Sequence, residues 1–138
     1  MLYLLPAGYS LYWMVQSGIL AMEMALVNTV MPGERILVLS QGHFGDRFAQ
    51  IAERYGMVTD RIASPLGERV AIGEVMQALS HRNYKAVAVT HVDTSTGIEA
   101  DLETLVALVK DSGALFLLDG VWPARPLKKI WLGRIAVP

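Results

Sequence analysis

Cysteine is absent from all 138 residues, so the chain holds no disulfide, no thiolate metal ligand and no cysteine nucleophile. Charge is scarce as well. Only 18% of residues are Asp, Glu, Lys or Arg, twelve basic against thirteen acidic, and the formal net charge is −1 without blocks of one sign. That balance leaves no electrostatic footprint for nucleic acid or an anionic membrane surface. A clean apolar run is missing too: residues 1–22 are nearly uncharged, but no Lys or Arg precedes them, Pro6, Gly8, Gln16 and Gly18 interrupt them, and Glu23 closes them. A membrane span needs about 20 predominantly apolar residues, so neither a membrane nor a secretory segment is expected. No internal repeat and no low-complexity stretch is visible.

What is present is apolar. Hydrophobic residues make up 53% of the chain and the mean hydropathy is +0.37, in a length that suits one domain. Such a chain folds compactly or hides an apolar face in a partner. Ser17-Gly18 precedes Ile19, Leu20, Met22, Met24, Ala25, Leu26, Val27 and Val30, which predicts a mostly buried helix with Ser17 as its cap. After the Pro32-Gly33-Glu34 turn, Ile36-Leu37-Val38-Leu39 reads as a buried strand and Gln41-Gly42-His43-Phe44-Gly45 as a loop. A second helix runs from Asp46 to Tyr55, with Gly56 placed to accept the left-handed conformation after it. Val58 to Ala63 alternates like a half-buried strand, and Val70 to Leu79 has helical spacing. Ala86-Val87-Ala88-Val89 is a buried strand, Leu102 to Val109 a fourth helix stopped by Gly113, and Ala114 to Leu118 a last apolar run ending at Asp119.

Alternating helices and strands, with strands apolar on both faces, predict an α/β fold: a three-layer sandwich around a mostly parallel sheet. Ligands in such sheets bind beyond the carboxyl ends of the strands. Ser40 to Gly45, Thr90 to Gly97 and Asp119 to Gly120 all lie there and are expected to converge. The two ends read differently: residues 1–16 hold Tyr3, Tyr9, Tyr12 and Trp13 without periodicity, and Val121 to Pro138 packs two Trp, three Pro and four basic residues with no steady period.

Five ordered motifs then become informative together. They are Ser17-Gly18 before Ala21-Met22-Glu23, Val27-Asn28 and Pro32-Gly33; Gly42-His43-Phe44-Gly45-Asp46-Arg47; Glu53-Arg54-Tyr55-Gly56; Thr90-His91 with Thr94-Ser95-Thr96-Gly97; and Leu118-Asp119-Gly120-Val121. In this order they resemble the class V, fold-type I aminotransferases that use pyridoxal 5'-phosphate (PLP), in the alanine–glyoxylate and serine–pyruvate branch. The resemblance spans 17–121, as part of the large domain, with 1–16 and 122–138 as non-matching ends.

The resemblance implies that Ser17, Gly18 and Ile19 bind the cofactor phosphate at a helix N-terminus, a natural anion site. Ile19 replaces a polar residue common in the family and offers only its backbone N–H. Phe44 would stack on the pyridine ring, the Thr94 hydroxyl would meet the phenolic oxygen, and Asp119 would pair with the pyridine nitrogen. His91 reads as a buried, hydrogen-bonded histidine near the site, His43 as loop material without a role, and Glu23 and Asp93 as solvated or capping carboxylates. No metal ligand set is expected.

The family's Schiff-base lysine lies well downstream of the aspartate. Lys85 begins a strand at the opposite end from the site, Lys110 lies on a covering helix, and Lys128 and Lys129 follow Asp119 by nine and ten residues in a tail unlike the family. No catalytic residue is therefore assigned. The resemblance implies substrates of the small amino acid (alanine, serine) and 2-oxo acid (glyoxylate, pyruvate) type, a cytoplasmic location, and a homodimer or association through exposed apolar faces. A fragment inactive alone is the expected state; a non-catalytic PLP- or phosphate-binding or association module is the alternative. A cysteine desulfurase is disfavoured, because the chain has no cysteine and that group stacks a histidine where Phe44 stands.

Overall fold

The computed structural model describes residues 17–120 and the short strand Ile135–Ala136. The expectations for 1–16 and for the rest of 121–138, including Lys128 and Lys129, lie outside the described residues. Within them the elements are α1 (Gly18–Val27), β1 (Arg35–Ser40), α2 (His43–Arg54), β2 (Val58–Ala63), α3 (Ile72–His81), β3 (Ala86–Thr90), β4 (Val92–Asp93), β5 (Ile98–Glu99), α4 (Leu102–Ser112), β6 (Leu115–Asp119) and β7 (Ile135–Ala136). No helix among the described residues is long and apolar enough to cross a membrane.

The large sheet has the order β2-β1-β3-β6-β7 and all its pairs are parallel. Side chains alternate across a strand, and here both faces are apolar. Ile36, Val38, Ala86, Ala88 and Leu117 pack with Met22, Leu26, Phe48 and Ile51 of α1 and α2. Leu37, Leu39, Val87, Val89, Phe116 and Leu118 pack on the other face with Val75, Leu102, Leu105 and Val109 of α3 and α4. The expected three-layer arrangement follows directly: strands buried on both faces need helices on both.

All eight expected elements occur in the expected order, with three differences. α1 ends at Val27, not Val30, because Asn28 Nδ2 donates to Met24 O at 2.8 Å and Thr29 Oγ1 to Ala25 O at 2.6 Å. These side chains satisfy the last carbonyls locally. α2 begins at His43, so the expected loop over residues 41–45 is largely helix. The small antiparallel β4–β5 hairpin and β7 were not expected; two-residue strands leave no periodic trace. Gly56 and Gly113 take the left-handed conformation at φ +75° and +77°, as their places after α2 and α4 predict.

Charge gathers at the other end of the sheet from the candidate site. On β2, Asp60 accepts from Arg35 Nη1 (3.1 Å to each oxygen), Arg82 Nη1 (2.7 Å) and Tyr84 Oη (2.8 Å). Partial burial pushes the Asp60 carboxyl up, but the hydrogen bonds from Arg82, Tyr84 and Arg35 outweigh it and hold it below its ordinary value of 3.8. Burial, then the Asp60 hydrogen bond and charge, push Tyr84 up to about 12. Since the folded value of Asp60 is depressed, its contribution is complete above pH 3.8 and is lost as pH falls through the lower folded value. Asp60→Asn is expected to lower unfolding free energy at pH 7 by about 1 kcal/mol, discounted for solvent exposure, and to flatten the acid limb of stability against pH. Urea denaturation from pH 7 down to pH 3 checks both.

Candidate functional site

In the sheet order, β1 sends its chain through α2 to one face while β3 sends its chain through α4 to the other. Such a reversal opens a crevice at the carboxyl ends of the two strands, the usual ligand position in α/β sheets. The three expected segments do converge here, and their contacts are specific.

One wall of the crevice is the first turn of α2. Its N-cap residue, Gly42, has no side chain to cap with. The cap comes from across the crevice: Asp93 Oδ2 accepts from Phe44 N at 3.0 Å and Gly45 N at 3.1 Å, and Ser95 Oγ accepts from His43 N at 2.9 Å. Asp93 is fully buried, and its other oxygen accepts from Ser95 N (3.1 Å) and Ser95 Oγ (2.6 Å). A buried carboxylate on a helix N-terminus satisfies free amides and complements the helix dipole. The signal that would have found this arrangement is weak, because donor and acceptor lie almost fifty residues apart in sequence.

The second wall is a row of polar side chains. Thr90 and Asp119 are register partners on β3 and β6, and Ser40 lies one step beyond the Leu39–Val89 pair on β1. By alternation from Val38, Ala88 and Leu117, all three fall on the α1/α2 face. Ser40 Oγ donates to Asp46 Oδ1 at 2.6 Å, and Asp46 also meets Arg61 at 2.7 Å. Among the described residues, Thr90 Oγ1 is buried without a hydrogen-bond partner, as are Gln41 Nε2 and His91 Nδ1. Asp119 is 4% exposed, and its backbone carbonyl accepts from His91 N at 2.8 Å. The sequence places Ser40 and Thr90 in the segments expected to converge, but it assigns neither a role.

His91 is 3% exposed, with Nε2 at 3.4 Å from Glu99 Oε1, and its carbonyl accepts from Ala100 N at 2.7 Å. It is buried as expected, but the expected hydrogen bond of its ring is absent among the described residues. Thr94 is exposed and Phe44 half-buried; Phe44 packs edge-on against His43 with ring centroids 5.4 Å apart. Asp93 thus brings the Phe44 backbone beside the residue preceding Thr94.

Ser17 behaves as an N-cap: its backbone is extended, and its hydroxyl accepts from Leu20 N at 3.3 Å. The first internal bond of α1 runs from Ala21 N to Ser17 O, which leaves the amides of Gly18 and Ile19 ahead of it. α1 leads through residues 28–34 into the start of β1, so its N-terminus faces the carboxyl end of the sheet. Tyr55 Oη donates to Glu23, fastening α2 to α1. Among the described residues no hydrogen bond joins Ser17, Gly18 or Ile19 to the crevice walls, and no group of His, Cys, Asp or Glu is suited to a metal. Lys85 pairs with Glu34 at 3.6 Å at the far end of the sheet, and Lys110 lies in the last turn of α4.

Comparison with known proteins supplies an independent view. The profile of the family described as "Aminotransferase class-V" matches residues 13–125. Alanine–glyoxylate aminotransferase 1 of Saccharomyces cerevisiae is 37% identical over 112 residues, covering 76% of this chain and 29% of that protein. A protein from Synechococcus sp. named "Soluble hydrogenase, small subunit" is 38% identical over 126 residues, covering 88% of this chain and 31% of that one. The crystal structure of alanine–glyoxylate aminotransferase from Nostoc sp. superimposes with a TM-score of 0.71 at 36% identity, over 75% of this chain and 28% of that chain. The chain therefore spans about a third of the length of the curated relatives it matches.

Close approach is the most exposed assumption of this geometry. A Cβ on Gly45 would lie 2.6 Å from Ser40 Cα, whereas one on Gly73, in α3, would meet nothing within 4 Å. Alanine is the better helix former by about 1 kcal/mol, yet Gly45→Ala is expected to destabilise by about 1–3 kcal/mol through overpacking. Gly73→Ala is expected to stabilise by a few tenths to about 1 kcal/mol. Thermal melts of both variants decide it; a stabilised Gly45→Ala would mean that α2 sits farther from β1.

Proposed function

This chain belongs to the aminotransferase class-V family, and from that premise we propose that its described residues are the cofactor-holding part of a PLP-dependent aminotransferase. The reaction proposed for the whole protein moves an amino group from a small amino acid of the alanine or serine type to a 2-oxo acid of the glyoxylate or pyruvate type.

Membership implies PLP as the cofactor, and the donor set fits that group. PLP carries a dianionic phosphate, a flat ring and a ring nitrogen that works best protonated. Beside the crevice stand a helix N-terminus with two amides ahead of its first internal bond, a half-buried aromatic ring and a buried carboxylate whose strand neighbour, Thr90, has an unpartnered hydroxyl. The α2 N-terminus is already filled by Asp93, which leaves α1 to take the phosphate. A buried hydroxyl without a partner is costly. That orphan in register with Asp119 is the observation that carries the reading.

When bound, PLP supplies an electron sink for a substrate carbanion. In this reading the chain's own residues do the holding. Gly18 and Ile19 amides, with the Ser17 hydroxyl, bind phosphate oxygens; Phe44 covers one ring face and excludes water there; Thr94 offers a hydroxyl to the phenolic oxygen. Asp119 holds a proton on the pyridine nitrogen. Lys85 and Lys110 stand away from the crevice, which supports the further reading that these 138 residues bind the cofactor without turning over. Association through α1, where Ile19, Leu20 and Val27 are exposed, is proposed as the dimer or partner contact.

The test is an absorbance titration of the purified chain with PLP, followed by borohydride. Saturable binding that dialysis reverses is expected, weakened about tenfold or more by Asp119→Asn through loss of a charged pair. No saturable binding would sink the cofactor reading. A chromophore fixed by borohydride on a single lysine would instead sink the inactive-alone reading.

A further inference from the structure

The geometry points to Asp93 as the positioning residue that sets the distance between the two walls of the PLP slot, an assignment that rests on the cofactor reading above. Asp93 is not itself available for chemistry. A carboxylate has about four acceptor sites, and Asp93 uses both oxygens twice: Oδ2 for Phe44 N and Gly45 N, Oδ1 for Ser95 N and Ser95 Oγ. It is 0% exposed. It therefore acts through what it holds.

What it holds are the two residues proposed to meet opposite parts of the ring system. Phe44 is anchored through its own amide, and Thr94 lies between Asp93 and Ser95, both of which are bonded to α2. Two further ties cross the same gap: His43 N to Ser95 Oγ at 2.9 Å and Thr96 Oγ1 to Gln41 O at 2.9 Å. The fit is tight enough to dictate sequence. A Cβ on Gly42 would lie 2.6 Å from Ser95 Oγ and 2.7 Å from Asp93 Cγ, so only glycine lets the loop close this far. Beyond the last β1–β3 pair, Leu39–Val89, the chains diverge and no strand pairing among the described residues spans the gap, so these side-chain bonds set its width.

A positioning role separates from a general structural one by comparing two ligands. PLP needs the slot and the α1 N-terminus together, whereas inorganic phosphate needs only the latter. Asp93→Asn keeps the shape but replaces one carboxylate oxygen with a donor, so it cannot accept on both sides. Equilibrium dialysis of the full chain is expected to show PLP bound about tenfold or more weaker in Asp93→Asn, with phosphate affinity unchanged within about twofold. The induced circular dichroism of the saturated PLP complex is expected to fall as the ring loses its fixed setting. Ser95→Ala, which removes the His43 tie and one Oδ1 donor, is expected to move PLP binding in the same direction and serves if Asp93→Asn does not fold. Parallel weakening of PLP and phosphate, or PLP binding unchanged in the variants, overturns the assignment and leaves the cofactor reading standing. Absence of PLP binding by the unsubstituted chain overturns both.

Discussion

Parallel strands cannot be joined by a tight turn, so each connection must leave the sheet and cross a face. β1 exits to the face of α1 and α2, and β3 exits to the face of α3 and α4, although the two strands are hydrogen-bonded neighbours. Everything at the candidate site depends on that divergence. It creates the crevice, and it also removes the backbone ladder that would otherwise fix the crevice walls. Side chains must then do what the ladder does elsewhere. Asp93, Ser95 and Thr96 reach from the β3–α4 connection to the start of α2 and fasten one wall to the other.

The same divergence organises the electrostatics. Three helix or strand ends point into one region, and a free helix N-terminus there attracts any anion. The α2 end is neutralised internally by a fully buried carboxylate, so its amides are spent on the fold. Among the described residues, the α1 end is capped by the Ser17 hydroxyl alone, and the amides of Gly18 and Ile19 precede its first internal bond. Asp119 stands on β6, two strands away from β1 in the sheet.

Much of this architecture was legible because it is local. Ile36–Leu39, Ala86–Val89 and Leu115–Leu118 are apolar at every position, and only a strand buried on both faces requires that. Ser17, Gly56 and Gly113 mark helix ends by their own chemistry. The start of α2 was not legible, because its cap lies 48 and 49 residues away from the amides it serves. Gly42 and Gly45 look like loop residues for the same reason: glycine signals either a turn or a close approach, and only the fold reveals that Gly45 is pressed against Ser40. The polar row of Ser40, Thr90 and Asp119 is likewise a product of register, which the sequence of any one strand does not contain. Resemblance to a family drew attention to Asp119 and Phe44; it gave no specific role to Asp93, whose carboxylate accepts from the Phe44 and Gly45 amides.

Holding and reacting are separable tasks in a cofactor enzyme. The protein supplies binding, orientation and electrostatics, and the cofactor carries the difficult chemistry. Among the described residues, the printed contacts across this crevice lie within residues 40–46 and 90–101, and no lysine is among them. The two apolar clusters that stabilise the sheet are equally independent of one. Among the described residues, the crevice walls are thus fixed by short bonds across a single chain reversal.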